Sequence, residues 1–288
     1  MIRQSLMLAL AGAALFAAGP ASSAMERGGG DLTTDQRNAL QAAIAAPTRT
    51  AANTPRDRYR HPFETLSFFG VRPSDTVVEI WPGGGWYTEI LAPYVARGGG
   101  IYYAASMGER GNDNVRRLRT ANPELYGAAR LSTFPVFDGA GGGVPPRSAD
   151  VVLTFRNVHN WRMGYQRDGR EDYSVAAFRQ MFAMLKPGGT LGIVDHRLPE
   201  SASDERERTS GYMKVSTIRR LAETAGFRFV AASEVNANPR DTADWPRGVW
   251  TLPPSLRLGD QDRDRYLAIG ESDRMTLRFV KPASARQR

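Results

Sequence analysis

The sequence predicts a three-layer α/β domain built on a mostly parallel sheet. Two observations carry that prediction. Short apolar runs rich in β-branched residues alternate with helical segments along residues 62–235, and glycine turns separate them. The 288-residue chain is 41% apolar and 24% charged, with 29 Gly and no Cys, which suits a full core and excludes collagen-like, coiled-coil and disulfide-framework proteins.

Residues 1–24 stand apart from the fold. Arg3 gives a positive start, Leu6 to Ala18 form an apolar run of 13, and Ser22-Ser23-Ala24 is a small-residue cleavage site. That is the layout of a secretory signal peptide, cleaved after Ala24. The run is too short for a membrane span, which needs about 20 apolar residues. An exported, periplasmic or secreted protein beginning at Met25, without stable membrane insertion, is the expectation.

Residues 25–56 read as an exposed N-terminal arm or linker with one helical stretch, Thr34 to Ala46. The domain itself is expected over 57–288. A helix over Pro62–Phe69 ends at Gly70, a residue suited to the left-handed conformation past a helix end. Thr76–Ile80 is a buried strand, and the glycine turn 83–85 leads into a helix over Tyr87–Val95. A strand at Ile101–Ala105, a helix at Asn114–Ala121 and a weak strand near Arg130–Phe137 follow. Asp150–Phe155 is the strongest strand. Ser174–Leu185 carries Ala177, Phe178, Met181, Phe182 and Leu185 on one helical face. Lys186-Pro187-Gly188-Gly189 then turns into a strand at Thr190–Val194. Ser216–Ala225 is a helix with Ser216 as N-cap and Gly226 beyond its end. Phe227–Ala231 and Thr276–Val280 are the last strands, with a tryptophan- and proline-rich insertion at about 236–273 between them.

The net charge is +8, from 38 Lys+Arg against 30 Asp+Glu, and nearly all the positive residues are arginines. They are scattered, without a basic run or aromatic-interleaved stripe, so nucleic acid is not an expected partner. A small molecule is.

Glycine triplets begin at 28, 83, 98 and 141, so a triplet alone decides nothing. The triplet at 83 differs by context, because it follows a strand and opens a helix, an arrangement that brings backbone N–H groups to a ligand. It fails the G-x-G-x-x-G dinucleotide fingerprint, and its acid, Glu79, lies inside the strand rather than about 20 residues later. That disfavours a nicotinamide-dependent oxidoreductase.

Val77-Val78-Glu79-Ile80-Trp81-Pro82-Gly83-Gly84-Gly85, Asp150-Val151-Val152 and Leu185-Lys186-Pro187-Gly188-Gly189-Thr190-Leu191 together resemble the motifs of the class I S-adenosylmethionine-dependent methyltransferases. More narrowly, Arg156-Asn157-Val158-His159-Asn160-Trp161 and Val194-Asp195-His196-Arg197 look like a group of exported methyltransferases of unassigned substrate. The resemblance implies a Rossmann-like seven-stranded sheet, mostly parallel with the last strand antiparallel, and S-adenosyl-L-methionine as cofactor. By position it implies Gly83 and Gly85 under the methionine portion, Glu79 holding the loop or the amino group, and Phe137 and Asp138 at the adenine. Trp81, Ser106 and Asn157 complete the expected cofactor site. Trp81 stands where the family has its first glycine, and Ser106 stands where it has a ribose-binding acid.

His159 and His196 follow two strands that this topology makes neighbours, at the sheet end where open α/β folds bind ligands. With Asp195 to orient an imidazole they are the candidate catalytic residues, a neutral histidine taking the acceptor's proton. No metal is expected, since no H-x-E or H-x-x-x-H spacing is present. The function expected is methyl transfer to a small-molecule acceptor. The alternative is a methyltransferase-fold protein that binds a ligand without catalysis.

Overall fold

The computed structural model describes residues 32–108, 110–137 and 141–283. The signal-peptide reading of 1–24 and the adenine role of Asp138 lie outside the described residues.

Seven strands form one sheet in the order β3-β2-β1-β4-β5-β7-β6. They are β1 Thr76–Ile80, β2 Ile101–Ser106, β3 Arg130–Thr133, β4 Ala149–Phe155, β5 Leu185–His196, β6 Arg228–Ser233 and β7 Arg274–Val280. β1 to β5 are parallel to one another, and β7 runs antiparallel between β5 and β6. The order reverses between β1 and β4, so the crevice beyond the carboxyl ends of those two strands is the topological switch point. Central strands read as continuous apolar runs because helices cover both faces; β4 is buried from Ala149 to Thr154.

Helices Pro62–Phe69, Thr88–Arg97, Asp113–Ala121, Ser174–Met184 and Val215–Thr224 flank the sheet. Gly192 on β5 shows how closely they pack. A Cβ there would lie 2.7 Å from Phe69 of one such helix.

Three expectations change. The segment before residue 57 is no exposed arm from residue 32 on: helix Thr34–Ile44 buries Leu40 and Ala43 in the core, and Arg49 forms an ion pair with Asp57 at 2.6 Å. Apolar residues at 40, 43 and 44 are enough to dock one helical face. The turn 186–189 lies within β5 as an irregularity, since pairing shifts from Ala149–Leu185 to Val151–Thr190 and Gly188 takes φ +78°. Ser216 is not the N-cap of its helix. Lys214 holds that position, and the Ser216 hydroxyl donates to the Glu200 carboxylate.

The insertion between β6 and β7 has its own small core, in which Leu198 and Tyr212 pack with Ala243, Trp245, Val249, Leu252 and Tyr266. Asp241 ties it together, accepting from the Tyr212 hydroxyl at 3.0 Å and the Trp245 indole at 2.6 Å. Among the described residues no helix is long and apolar enough to cross a membrane.

Candidate functional site

Two cavities open beside the turn that follows β4, and the predicted site residues divide between them. The larger, about 590 Å³, lies at the switch point and is lined by Trp81, Gly83, Ser106, Met107, Gly108, Arg110, Gly111, Asn157, Tyr165 and Gln166. Trp81, Gly83, Ser106 and Asn157 therefore meet as expected, from the ends of β1, β2 and β4.

The loop after β1 explains the glycines. Gly83 and Gly85 adopt φ +56° and +84°, which side chains with a Cβ rarely do. Around Gly84 a Cβ would meet nothing within 4 Å, so this backbone is open to a ligand. Gly85 serves packing instead: a Cβ there would come 3.1 Å from Leu118. Trp81 itself has a left-handed backbone, at φ +52°. Its indole donates to the Phe134 carbonyl at 2.8 Å and sits edge-on to Trp161, which holds the strained residue in place.

Glu79 lies beneath the loop rather than in the cavity wall. It accepts from Thr88 Oγ1 at 3.0 Å and Tyr102 Oη at 2.5 Å, linking β1, β2 and the helix after the loop. Burial raises its pKa to about 7 against the lowering effect of those two hydrogen bonds and of Arg60. Asn157 likewise joins elements, donating to the Ile80 carbonyl at 2.9 Å and Thr154 Oγ1 at 3.2 Å. Phe137 is outside the cavity lining and packs on Tyr173 with Arg167 over its ring.

The second cavity, about 240 Å³, is lined by Arg156, His159, Asn160, His196, Val249, Trp250, Pro253, Pro254 and Ser255. Parallel pairing of β4 with β5 brings the two histidines together, their ring centroids 5.1 Å apart. His159 Nδ1–H donates to Asp195 Oδ1 at 2.9 Å. Asp195 is fully buried and also accepts from the backbone N–H groups of His159 and His196. His196 Nδ1 shares a 2.5 Å hydrogen bond with Ser272 Oγ. Each histidine thus has Nε2 as its remaining ring nitrogen. Burial, then His159 and the guanidiniums of Arg156, Arg274 and Arg60, push the His196 pKa well below the ordinary histidine value, so its ring is neutral at pH 7. Ligand atoms of His159, Asp195 and His196 lie within 4.8 Å of one another, a grouping that no short sequence spacing reveals.

The two cavities share no lining residue, although Arg156 and Asn157 are adjacent in sequence. The expected single crevice is therefore two compartments along one turn. Arg156, Asn160, Trp250 and Ser272 were not singled out from the sequence. The Arg-Asn-Val-His-Asn-Trp run is the only signal for Arg156 and Asn160, and Trp250 and Ser272 come from within the insertion.

Comparison with solved structures identifies the fold. A SAM-dependent methyltransferase from Aquifex aeolicus aligns with TM-score 0.50 and 14% identity, over 85% of this chain and 98% of that one. The fold is the class I methyltransferase fold. The (4+2)-cyclase SpnF aligns with TM-score 0.54 and 14% identity, over 87% of this chain and 94% of its own. A phosphoethanolamine N-methyltransferase 2 from Haemonchus contortus, in complex with S-adenosyl-L-methionine, aligns with TM-score 0.52 and 15% identity, over 78% of this chain and 53% of its own. No family model and no curated protein sequence matches the chain. At such identities the likeness extends to the fold, and the chemistry has to be argued from the site.

Proposed function

We propose that this chain is an exported methyltransferase that binds S-adenosyl-L-methionine in the larger cavity and methylates a small molecule. The observation that carries the proposal is the open glycine backbone at the switch point, with Trp81, Gly83, Ser106 and Asn157 around one cavity. The loop fits the cofactor, because Gly84 leaves its backbone open and the Trp81 ring is pinned to Phe134. Bound there, the cofactor supplies an electrophilic methyl group on a sulfonium. Gly83 lets the backbone approach it closely, and Ser106 offers a hydroxyl at the end of β2. Glu79 keeps the loop and its helix in register through Thr88 and Tyr102.

The acceptor loses its proton to Nε2 of His159, while Asp195 holds the opposite ring nitrogen and stabilises the imidazolium formed. Alignment supplies most of the rate in such a transfer, so neither a nucleophilic residue nor a metal is required. The acceptor spans the turn 156–160, reaching from the histidine cavity toward the cofactor.

Thermal melting with added ligand tests the reading. S-adenosylhomocysteine at 100 times its Kd adds about 2.7 kcal/mol of stability, and NADH adds none. A shift with NADH alone would replace this reading with the oxidoreductase one. N-terminal sequencing of exported protein is expected to begin at Met25; an intact Met1 on cytosolic protein would contradict export.

A further inference from the structure

The histidine cavity sits against a cluster of charge that the fold does not balance. Glu271, at the start of the segment entering β7, is buried and pairs with Arg56 at 2.7 Å, Arg60 at 3.2 Å and Arg274 at 3.3 Å. Arg156 joins this group electrostatically, so four guanidiniums act on one carboxylate. Burial would raise the Glu271 pKa, but their combined field holds it at about 2. Arg56 Nη2 and Arg60 Nη2 are buried without a hydrogen-bond partner.

Arg156 is the member that reaches the cavity. It is the residue after β4, it lines the cavity, and its guanidinium has no carboxylate or carbonyl partner among the described residues. Its backbone is left-handed at φ +64°, a conformation that a long side chain rarely takes, and functional sites are where such strain collects. An arginine held this way, desolvated, sharing Glu271 with three other guanidiniums and making no side-chain hydrogen bond of its own among the described residues, is unfavourable unless something else adds negative charge. His196 and Asn160 complete the polar wall beside it, and His159 lines the same cavity.

The same three groups, His159, Asp195 and His196, stand close enough to hold a metal ion. The surroundings argue against a cation. Asp195 already accepts from three N–H groups, and the excess of guanidinium charge repels a dication.

We propose that this cavity is an anion site, in which the Arg156 guanidinium, with Asn160 and His196 beside it, binds the carboxylate or phosphate group of a small molecule. Its corollary, that the methyl acceptor is an organic acid or a phosphate ester, rests on the methyltransferase reading; the anion site itself does not. A planar guanidinium suits either group, since it donates two parallel N–H bonds to a pair of oxygens.

The chain has three histidines, so its ¹H–¹³C spectrum carries three imidazole Cε1–H signals, assignable by single His→Gln variants. Inorganic phosphate and acetate are titrated separately into the full chain at constant ionic strength, without S-adenosylmethionine. The signals of His159 and His196 are expected to move together and saturate, while that of His61 stays. Whichever anion binds more tightly distinguishes a phosphate ester from a carboxylic acid. Arg156→Asn, in which asparagine tolerates the left-handed backbone, is expected to weaken that binding at least tenfold and to melt no lower than the parent. Arg156→Gln serves in the same way if the asparagine variant does not fold. No saturable shift with either anion, or unchanged affinity in the folded variant, would overturn the proposal. So would movement of the two signals with micromolar Zn²⁺ and with neither anion, which would make this a metal site. Failure here leaves cofactor binding standing, and absence of cofactor binding leaves this result standing.

Discussion

The two cavities flank the same turn and are made in opposite ways. Around the larger one the backbone does the shaping: Trp81 and Gly83 hold left-handed conformations, Gly84 faces open space, and the side chains are mostly neutral. Around the smaller one the side chains do the shaping, with Asp195 fully buried, His159 and His196 nearly so, and Arg156 sharing the Glu271 carboxylate with three other arginines. A backbone site depends on a few consecutive residues. A charge site depends on distant ones converging, as Arg60 and Glu271 do across 211 positions. The first is therefore robust to side-chain substitution outside its glycines, whereas the second is coupled to stability and pH.

The largest expected break in this contrast is Asp195→Ala. It leaves the His159 Nδ1–H and two backbone N–H groups buried without an acceptor, a loss of about 4 kcal/mol. Urea unfolding measures it, and cofactor affinity in the remaining folded protein is expected to stay within twofold. Coupled loss of both would mean that the cavities are not independent.

Next comes pH. Glu79 has a folded pKa of about 7 against an ordinary 4.5, so the folded state holds that proton more tightly than the unfolded chain. Its contribution is full below the unfolded value and is lost as pH rises through 7, by roughly 3 kcal/mol in total. Glu271 acts in the other direction, since its pKa is held at about 2: its contribution is present above 4.5 and is lost as pH falls toward 2. Denaturation midpoints from pH 2 to 8 should show both limbs. Glu79→Gln should flatten only the upper one.

Gly83→Ala sharpens the comparison on the backbone side. The left-handed φ costs an alanine about 1 kcal/mol, while the open space around the loop spares it a clash. Melting is expected to fall slightly and S-adenosylmethionine affinity to fall at least tenfold. A large stability loss with unchanged affinity would show that the glycine serves the fold alone. The smallest effect belongs to Arg156→Asn, which removes one of four guanidiniums that share Glu271 and eases the backbone. A gain of about 0.5 kcal/mol in chemical denaturation is expected; a loss above 1 kcal/mol would mean that Arg156 is held by contacts that matter to the fold.

Much of the architecture was readable from local pattern. The helix Pro62–Phe69 and strand β1 fall at the expected residues, because Gly70 and the run Thr-Val-Val-Glu-Ile declare their own ends. The pairing of His159 with His196 followed from topology once β4 and β5 were neighbours. Other features have no local signal. Helix Thr34–Ile44 docks through only a few apolar positions, so its polar composition read as an arm. Arg156 looks in sequence like any surface arginine, and its φ and missing partner exist only in three dimensions. The split between the cavities also depends on Trp250 and two prolines of the insertion, whose placement no periodicity encodes.

Calorimetric titration of the purified protein with S-adenosylmethionine and S-adenosylhomocysteine, beside Gly83→Val, tests the central claim most directly. Micromolar binding of both ligands by the parent, weakened at least tenfold in a variant that retains its circular dichroism, is the expected result. Binding of neither ligand by the parent, or equal binding by the folded variant, would contradict a cofactor site at the glycine loop and leave the ligand-binding reading of this fold in its place.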